Sequence, residues 1–376
     1  MKRESMKILH VIDSGGLYGA EIMLLNLVEE QIALGLTPVI ASIGDKKTQE
    51  KPLEREARRR GLPLVCFRMI PGPNIPGAYR LISYAANEGF DLIHSHGYKG
   101  NILLGFIPRA IRKIPLVSTL HGYTSTRGLS KMRIYEWLDT LSHRLIDAVV
   151  LVNRGMLNHP GIKKQKGIGF HVINNGIPVR KADSTKTRKV RTGSEPLIIG
   201  SIGRFSSEKG YTFLIEAFSR LIEKGVEARL VLIGDGYERA LLESCVKRHN
   251  LSQRVEFPGY RHNAKQYITE FDIYAISSLT EGLPITLLEA MEARTTVVAT
   301  AVGGIPDVIE NNREGFLVPP CDPAAMAESF FRLSKDPLFS RELADKAYDK
   351  LLRTYSSRQM AEEYIRVYTK CLKVTY

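Results

Sequence analysis

Two glutamates eight positions apart, Glu281 and Glu289, lie on either side of a junction between a predicted strand and a predicted helix. The apolar run at 273–276 before them indicates a buried strand. Pro284 then predicts the first turn of a helix with one apolar face. The free amides and partial positive charge at a helix start suit an anion such as a diphosphate. The pattern therefore predicts a ligand with phosphates in its middle and hydroxyl groups at both ends.

A second strand-to-helix junction, at residues 198–210, carries two cations, Arg204 and Lys209, and leads to a helix predicted at 209–224. A guanidinium can grip two phosphate oxygens at once, and a lysine supplies a movable point charge. Taken alone, the pattern also fits an ordinary helix start with two surface cations. Because the sequence has no Asp-x-Asp pair for a divalent metal, we expect cations and amides to stabilise a departing diphosphate. No metal and no cofactor are predicted.

His94 and His96 are also candidates for chemistry, because side chains two positions apart on a strand point to the same face. Zinc would need further ligands, and no nearby cysteine or other residue at metal-binding spacing supplies them. We therefore expect these histidines in the interior of a strand end or beside an acceptor, and we predict no metal site.

The candidate residues must be positioned by an alternation of strands and helices that occurs twice along the chain. The first series has predicted strands at 7–13, 38–43, 64–68, 92–96, 116–120, 148–152 and 171–173. The second has predicted strands at 197–203, 228–233, 255–257, 273–276 and 296–299. This α/β alternation predicts parallel sheets covered by helices on both faces, with ligands at the carboxyl ends of the strands.

A chain of 376 residues is long enough for two domains of ordinary size. We predict a Rossmann-like domain at 1–178, a polar and basic linker at 179–196, and a second Rossmann-like domain at 197–355. Residues 356–376 are predicted to form a helix that packs back toward the first domain.

The composition is that of a globular protein and argues against several other classes. The four cysteines are scattered without a Cys-x-x-Cys pair, which is typical of reduced thiols in the cytosol. The N-terminus lacks the apolar core of a signal peptide, and no apolar run approaches the roughly 18 residues of a spanning helix. We expect a cytoplasmic protein that is at most peripheral on the inner face of a membrane.

Positive charge is concentrated in the first half of the chain. Residues 1–180 hold 25 Lys and Arg against 14 Asp and Glu, whereas residues 196–376 hold 23 against 24. Segment 100–113 is basic and apolar on one side, which predicts an amphipathic helix, and 55–60 is a second basic cluster. This favours contact with an anionic membrane or an acidic acceptor over an ordinary solvated surface. Nucleic acid is not expected, because the basic stretches lack interleaved aromatic residues and binding motifs.

Several motifs occur together in one order along the chain. They are Gly15-Gly16 with Glu21, Thr-Leu-His-Gly at 119–122, Arg204 with Lys209, Glu281 with Glu289, and residues 303–307 and 315–318. In this combination the chain resembles, nearly end to end, the retaining glycosyltransferases of family 4, also described as glycosyl transferases group 1. The resemblance implies the GT-B fold, in which two Rossmann-like parallel-sheet domains face a central cleft. It makes 1–178 the acceptor-side domain and 197–355 the nucleotide-sugar donor domain.

The resemblance also implies roles for individual residues. Arg204 and Lys209 hold the donor diphosphate, while Glu289 binds the ribose hydroxyls of the nucleotide. Glu281 lies against the donor sugar, and His121 is the active-site histidine beside that sugar. The remaining implied donor contacts are Gly15, Gly16, Gly282, Leu283, Ile285 and Thr286, with Tyr260 and Arg261 in a segment that lines the base pocket.

The implied function is transfer of a sugar, with retained configuration, from a UDP- or GDP-sugar to a glycan or lipid-linked acceptor in bacterial envelope polysaccharide synthesis. The implied mechanism is front-face attack through an oxocarbenium-like transition state, with the departing phosphate taking the acceptor's proton. Acceptor and sugar specificity is expected near His121 and Glu281 and in loops such as 70–80 and 122–133.

Other functions are alternatives to this one. A glycosidase carboxylate pair is disfavoured, because eight helical positions span up to about 12 Å between backbones, against roughly 5–9.5 Å between glycosidase carboxyls. A nucleotide-sugar epimerase of similar architecture, an inactive sugar-binding member and, more remotely, a nicotinamide-dependent oxidoreductase stay open.

Overall fold

The computed structural model describes residues 5–70, 72, 74–122, 131–165, 168–179, 195–261 and 263–373. Two compact units divide the chain, one from residues 1–178 and 356–376 and the other from residues 179–355. Most of the predicted linker and most of the loop at 122–133 lie outside the described residues, as do positions 71 and 73 of the loop at 70–80.

The first unit is built on seven parallel strands in the order β3-β2-β1-β4-β5-β6-β7. The strands are β1 Lys7–Ile12, β2 Thr37–Asp45, β3 Leu64–Met69, β4 Leu92–His96, β5 Leu116–Leu120, β6 Ala148–Leu151 and β7 Phe170–Val172. All seven were expected from the sequence. The strand order reverses between β1 and β4, so the carboxyl ends of these two strands are the position where such a sheet binds ligands.

Eight helices belong to the described part of this unit. They are α1 Gly19–Ala33, α2 Pro52–Arg59, α3 Ile75–Asn87, α4 Tyr98–Gly105, α5 Arg109–Arg112, α6 Lys131–Ser142, α7 Pro160–Lys163 and, at the end of the chain, α15 Ser357–Lys373. Helix α15 packs on α1 of the same unit. At its start, Ser357 donates hydrogen bonds to the carbonyl of Ile177 at 2.8 Å and to the carboxylate of Glu30 at 2.8 Å.

The expectation of a single amphipathic helix at 100–113 is wrong. Pro108 ends the run, because it has no N–H to continue a helix and instead begins the short α5 with an extended backbone. Arg112 is also not a surface cation. Its buried guanidinium donates to the carbonyls of Ile107 at 2.8 Å and Ile114 at 2.9 Å and to the carboxylate of Asp147 at 2.7 Å.

The second unit has six parallel strands in the order β10-β9-β8-β11-β12-β13. The strands are β8 Leu197–Ile202, β9 Ala228–Ile233, β10 Val255–Gly259, β11 Ile273–Ile276, β12 Thr296–Thr300 and β13 Phe316–Val318. Five of them were expected, and the three-residue β13 at the edge was not. The order reverses between β8 and β11, so the expected ligand position lies at their carboxyl ends.

Seven helices cover this second sheet in the described residues. They are α8 Tyr211–Glu223, α9 Arg239–Arg248, α10 Lys265–Ile268, α11 Ile285–Glu292, α12 Ile305–Val308, α13 Pro323–Lys335 and α14 Pro337–Thr354. Helix α8 begins two residues later than predicted, because Ser207–Lys209 form a 3-10 turn and Gly210 takes a left-handed φ of 61°. The α/β fold with two parallel sheets is confirmed.

Among the described residues, no helix combines the length and the apolar character needed to cross a bilayer.

Candidate functional site

The candidate donor site of the second unit lies at the carboxyl ends of β8 and β11, where its strand order reverses. The loops that follow these strands are joined by three hydrogen bonds. The amide of Leu279 donates to the carbonyl of Glu208 at 2.8 Å, and the hydroxyl of Ser277 donates to the carbonyl of Lys209 at 2.9 Å. The third bond is made by side chains and brings two predicted site residues together.

Lys209 and Glu281 are in direct contact. The ammonium group of Lys209 donates to Oε1 of Glu281 at 2.5 Å, and the hydroxyl of Ser278 donates to the same oxygen at 2.7 Å. Their side chains keep 26% and 11% of their accessible surface, so the pair is open on one side. A movable cation beside an oriented carboxylate can meet a ligand that carries both phosphate and hydroxyl groups.

Arg204 lies on the same loop as Lys209 but pairs differently. Its guanidinium donates to the carboxylate of Glu208 at 2.8 Å, and its side chain is 49% exposed. Exposed pairs one helical turn apart contribute little to stability, so an anionic ligand can compete for this arginine. The structure brings Lys209 to Glu281, and it holds Arg204 to Glu208.

The Gly303-Gly304 pair of the sequence motif packs against the backbone of Glu281 and Gly282. Gly303 has a left-handed φ of 57°, and a Cβ there would run into the carbonyl oxygen of Glu281. The next amide, of Gly304, donates to the carbonyl of Gly282 at 2.6 Å. These two glycines therefore fix the backbone that carries Glu281, which explains why the motif contains them.

Helix α11 begins at Ile285, and Pro284 is its N-cap with an extended backbone. The prediction placed Pro284 in the first turn, one residue further in. Within the described part of the chain, no side chain caps this helix. The amides of Ile285 and Thr286 are thus at the uncapped start of the helix, where an anion is favoured.

Glu289 lies on α11, about one turn after these amides. Its carboxyl has no hydrogen-bond or ion-pair partner in the described ranges, and burial raises its pKa from 4.5 to about 7. The charge of Lys265 lowers this pKa and that of Glu292 raises it, but both effects are smaller than burial. A half-desolvated carboxyl of this kind gains from accepting hydrogen bonds from a ligand.

Tyr260 and Arg261 follow β10, where Gly259 accepts a hydrogen bond from the amide of Gly234 at 3.1 Å. Both side chains are exposed, Tyr260 at 56%. Gly234 also contacts Gly203 at the end of β8 so closely that a Cβ on it would overlap the Gly203 carbonyl. Gly234 therefore lies between Gly259, the residue before Tyr260, and Gly203 at the start of the loop after β8.

Gly15, Gly16 and His121 belong to the first unit, at the carboxyl ends of β1 and β5. A Cβ built on Gly15 would meet no atom within 4 Å, so nothing in the unit itself excludes a side chain there. At Gly16, a Cβ would overlap the ring of Tyr18. Packing within the unit therefore gives no reason for a glycine at position 15, whereas Gly16 has a local packing reason.

Sequence reasoning missed Asp13, which lies between β1 and these glycines. It accepts hydrogen bonds from Lys51 at 2.7 Å and Lys99 at 2.9 Å. Burial alone would raise the pKa of Asp13, but the two lysines lower it below its usual value. In the sequence, Asp13 is only a single acidic residue after a strand. Its two lysine partners are far away along the chain, so no local pattern indicated the cluster.

His121 has an unusual environment for a histidine. Both ring nitrogens are buried without a hydrogen-bond partner in the described residues, and its ring stacks on His96 at 5.7 Å. Burial lowers the pKa of His121 to about 4, so the ring is neutral at pH 7. A neutral imidazole can donate one hydrogen bond and accept another, and a sugar hydroxyl can satisfy either.

Beneath His121, three histidines from β1 and β4 form a buried cluster: His10, His94 and His96 lie with ring nitrogens within 4.8 Å of one another. His10 Nδ1 and His96 Nε2 are 3.0 Å apart, and His10 Nε2 lies 2.8 Å from Gln31. The prediction that no further ligand lies near His94 and His96 is wrong in this respect, because the parallel pairing of β1 with β4 places His10 beside His94.

This cluster is a hydrogen-bonded network that continues into the C-terminal helix. His94 Nδ1 is 2.7 Å from the hydroxyl of Tyr368, and His94 Nε2 is 2.8 Å from Thr119, which in turn bonds Tyr364 at 2.9 Å. Burial lowers the pKa of His10 to about 4 and those of His94 and His96 well below 6.5. Every ring nitrogen of the three histidines except Nδ1 of His96 has a hydrogen-bond partner in the described residues, as is typical of neutral histidines in a structural network.

Comparisons with known proteins identify the fold and the family of this chain. N-acetyl-alpha-D-glucosaminyl L-malate synthase of Bacillus anthracis is 27% identical over 79% of this chain and 79% of that protein. UDP-Gal:alpha-D-GlcNAc-diphosphoundecaprenol alpha-1,3-galactosyltransferase of Escherichia coli is 22% identical over 77% of this chain and 78% of that protein. The crystal structure of Anabaena Alr3699/HepE in complex with UDP-glucose matches with a TM-score of 0.81 at 20% identity, covering 97% of this chain and all of that one. The structural likeness confirms the GT-B fold class.

Two family models match consecutive parts of the chain. The model described as Glycosyltransferase Family 4 matches residues 18–181, and the model described as Glycosyl transferases group 1 matches residues 183–350. Together they cover every strand of the two sheets except β1, and all the predicted donor-site residues except Gly15 and Gly16. The chain is a glycosyltransferase and belongs to the family defined by this pairing of family 4 and group 1 models.

Proposed function

We propose that this glycosyltransferase moves a sugar, with retained configuration, from a UDP- or GDP-sugar to a glycan or lipid-linked acceptor in bacterial envelope polysaccharide synthesis. The observation that carries the proposal is the Lys209–Glu281 contact, 2.5 Å long, at the carboxyl ends of β8 and β11. It places a cation and a carboxylate next to the uncapped start of α11, with Glu289 farther along the helix.

Each part of a nucleotide sugar has a matching group in the second unit. Lys209, Arg204 and the amides at the start of α11 suit the diphosphate, because they combine cations with oriented N–H donors. Glu289 accepts hydrogen bonds from the ribose hydroxyls, and Tyr260 with Arg261 borders the base. Glu281 faces the sugar. The relatives support this donor class, since their names or ligands include UDP-galactose and UDP-glucose.

The acceptor assignment is supported by relatives and by charge. The named acceptor of the Escherichia coli relative is linked to diphosphoundecaprenol, a lipid diphosphate. The first unit carries most of the positive charge of the chain, which suits an anionic or lipid-linked acceptor. We place the enzyme in the cytoplasm, peripheral on the inner face of the membrane.

The mechanism we propose is front-face attack. Arg204 and Lys209 stabilise the charge that develops on the departing diphosphate, so no metal is required for that task. The acceptor hydroxyl gives its proton to the departing phosphate oxygen as the new glycosidic bond forms. His121, neutral at pH 7, holds a sugar hydroxyl by hydrogen bonding and does not act as a cation.

A thermal-shift panel of UDP-, GDP- and ADP-sugars tests the donor assignment, because a ligand that binds the folded state raises its melting temperature. We expect a shift with one nucleotide and none with the same nucleotide for Arg204→Ala. Release of nucleotide that depends on added acceptor and yields a new glycoside supports transfer. Conversion of the donor sugar without any acceptor would instead identify an epimerase.

A further inference from the structure

Five large apolar side chains are exposed in one region of the first unit, around the ends of α4 and α6. They are Phe106, Ile111, Trp137, Leu141 and Leu145, with exposures of 38%, 53%, 61%, 38% and 40%, and they are called the apolar patch below. Exposed aliphatic and aromatic side chains of this number in one region mark an interaction surface rather than ordinary surface composition.

Packing of the neighbouring backbone holds the patch residues together. Gly105, the residue before Phe106, lies so close to Ser142 and Ile146 that a Cβ would be 3.0–3.2 Å from their side chains. The guanidinium of Arg112, next to Ile111, donates to the carbonyl of Leu145 at 3.4 Å. The backbone segments that carry Phe106, Ile111 and Leu145 are therefore held together, although up to 39 positions separate these residues in sequence.

The exposed side of α6 extends the patch. Trp137 and Leu141 are one helical turn apart, and Leu145 follows by another four positions in the 3-10 turn His143–Leu145. Between them, Asp139, Ser142 and His143 are buried in the unit. The helix thus presents Trp, Leu and Leu to solvent on the side where a water-facing helix normally carries polar residues.

The surroundings of the patch are strongly basic. Residues 101–180 hold 12 Lys and Arg and three Asp and Glu. Two of the three acids are engaged inside the unit: Asp139 bonds Asn101 at 2.8 Å, and Asp147 bonds Arg112 at 2.7 Å. Lys113 and Arg144 are exposed beside Ile111 and Leu145. This combination of apolar side chains and cations is complementary to an anionic bilayer surface.

The other basic cluster of this unit is different. Arg55 and Arg58 pair with Glu50, and Arg59 and Arg60 pair with Glu56. These arginines on and after α2 are balanced by acids of the same helix region, and no apolar patch accompanies them in the described residues. The predicted membrane contact through 55–60 is therefore less favourable than contact through the region of α4 to α6.

We propose that the apolar patch inserts into the headgroup region of an anionic bilayer, with Lys113 and Arg144 contacting lipid phosphates. The inference rests on the proposed function in one respect, because a lipid-linked acceptor requires the enzyme to work at a membrane. Trp137 lies at the centre of the exposed helix side, and indole rings are enriched at the interface between lipid and water.

Trp137 is the single tryptophan of the chain, so its emission is a direct probe of the patch. Full-length protein is mixed with vesicles of phosphatidylcholine alone or of equal parts phosphatidylcholine and phosphatidylglycerol. We expect a blue shift of Trp137 emission and co-sedimentation with the anionic vesicles, both weakened by salt. Absence of both with anionic vesicles would overturn the inference, as would binding that does not depend on anionic lipid.

Two variants locate the contact. Leu141→Gln with Leu145→Gln keeps the tryptophan and is expected to weaken vesicle binding by about tenfold or more, because two leucine side chains no longer enter the lipid. The matched control is Leu338→Gln with Leu352→Gln, at residues 74% and 43% exposed on α14 of the second unit. Equal loss in the control pair would contradict the assignment. Lys113→Glu with Arg144→Glu is expected to lower binding to anionic vesicles as well.

Light scattering and donor binding distinguish the bilayer contact from a dimer interface and from the donor site. If the patch joins two copies of the chain, light scattering will show a dimer that the leucine variant converts to a monomer, and the bilayer assignment will be wrong. Thermal shifts with the donor nucleotide are measured on the same variants and are expected to be unchanged. Donor binding without vesicle binding would contradict the bilayer contact and leave the proposed transfer from a nucleotide sugar intact. Vesicle binding without donor binding would contradict the proposed transfer and leave the bilayer contact intact.

Discussion

Glu281 receives two hydrogen bonds that fix one of its carboxylate oxygens, from Lys209 and Ser278. The second oxygen accepts no hydrogen bond from the described residues, so in the proposed function it is the one that meets the donor sugar. A carboxylate is required for this, because both of its oxygens accept hydrogen bonds. A glutamine has a single carbonyl oxygen for Lys209 and Ser278, and its N–H₂ group, which only donates, would replace the second oxygen.

Glu281→Gln is therefore expected to reduce kcat/KM by about 10²-fold or more through lost transition-state stabilisation, with little change in melting temperature. Initial rates of glycoside formation and a thermal melt measure the two effects. The control is Glu256→Gln, at an exposed carboxylate that lies 3.7 Å from Arg229 on the same sheet. Near-normal turnover of Glu281→Gln would remove Glu281 from the catalytic role.

The buried carboxyl of Glu289 is expected to make the stability of the protein depend on pH. Its folded-state pKa is raised from 4.5 to about 7, so the folded protein binds a proton that the unfolded protein has lost in this range. The stability contributed by the neutral form is full below pH 4.5 and is lost as the pH rises through about 7. Glu289→Gln is expected to raise the melting temperature above pH 7 and to leave it nearly unchanged near pH 4.5.

The same substitution should weaken nucleotide binding, because an amide accepts hydrogen bonds from two ribose hydroxyls less well than a carboxylate does. Melting curves with and without nucleotide at both pH values measure the two effects together. A variant that is stabilised at high pH but binds nucleotide as the parent does would show that Glu289 is buried for another reason.

At the scale of elements, the candidate donor site depends on turns that fix the loops after β8 and β11 and the start of α11 relative to one another. Three glycines lie in these turns, each between a strand and a helix. A side chain has no room at Gly210 or Gly303, and the amide of Gly304 donates a hydrogen bond to the carbonyl of Gly282. The local backbone packing thus accounts for glycine at positions 210 and 303, and the amide of Gly304 helps to hold the Glu281 loop.

Gly303→Ala is expected to lower activity strongly although residue 303 need not touch the donor. An alanine Cβ would overlap the Glu281 carbonyl, and the left-handed backbone adds strain of about 1 kcal/mol or more. We expect the Glu281 loop to move, with lower kcat and a lower melting temperature. Gly225→Ala is the control, since it has a φ of 79° but open space around its Cβ. If both variants lose activity equally, strain alone and not the Glu281 contact is responsible.

Helix α15 is a structural part of the first unit through Tyr364 and Tyr368. Tyr368→Phe removes the hydroxyl that bonds His94 and Gln31, and unpaired buried polar groups cost about 1–3 kcal/mol. Urea unfolding followed by Trp137 emission measures this loss. Tyr79→Phe is the control, because that tyrosine is 46% exposed and its hydroxyl has no partner in the described residues. A Tyr368→Phe variant as stable as the control would mean that the network contributes nothing.

At the scale of the whole molecule, the two units differ in how acid affects them. In the first unit, burial lowers the pKa values of His10 and His121 to about 4 and those of His94 and His96 well below 6.5. The unfolded chain binds protons at these residues below pH 6.5 and the folded chain does not, so the free energy of unfolding falls as the pH falls from 6.5 toward 4. Each histidine contributes up to about 1.4 kcal/mol per pH unit.

We expect the urea midpoint of the first unit, read from Trp137, to drop between about pH 7 and pH 5. The second unit is read from a variant with Trp137→Phe and Leu338→Trp, and it should shift less because the described residues of that unit hold no buried histidine. Equal shifts in both units would rule out the histidine cluster as the cause of acid sensitivity.

Much of this protein follows from the sequence alone, because the features concerned are local. The alternation of apolar runs and helical patterns specified parallel α/β sheets, and twelve of thirteen strands were expected near their observed positions. The residues of the donor motif were found for the same reason: Arg204 with Lys209, and Glu281 with Glu289, are each separated by eight positions or fewer at a strand-to-helix junction. Local spacing and turn chemistry are sufficient to recognise such junctions.

Only the tertiary structure decided which of these residues meet. Lys209 and Glu281 are 72 positions apart, and His10 reaches His94 and His96 across the pairing of β1 with β4. The apolar patch likewise depends on the packing of α4, α5 and α6 against one another. Arg112, which lies in the segment predicted as a basic amphipathic helix, is buried and donates a hydrogen bond to Asp147. Hydrophobic periodicity tells which residues turn inward along one element, but contacts between distant elements depend on strand order and packing, which no local pattern contains.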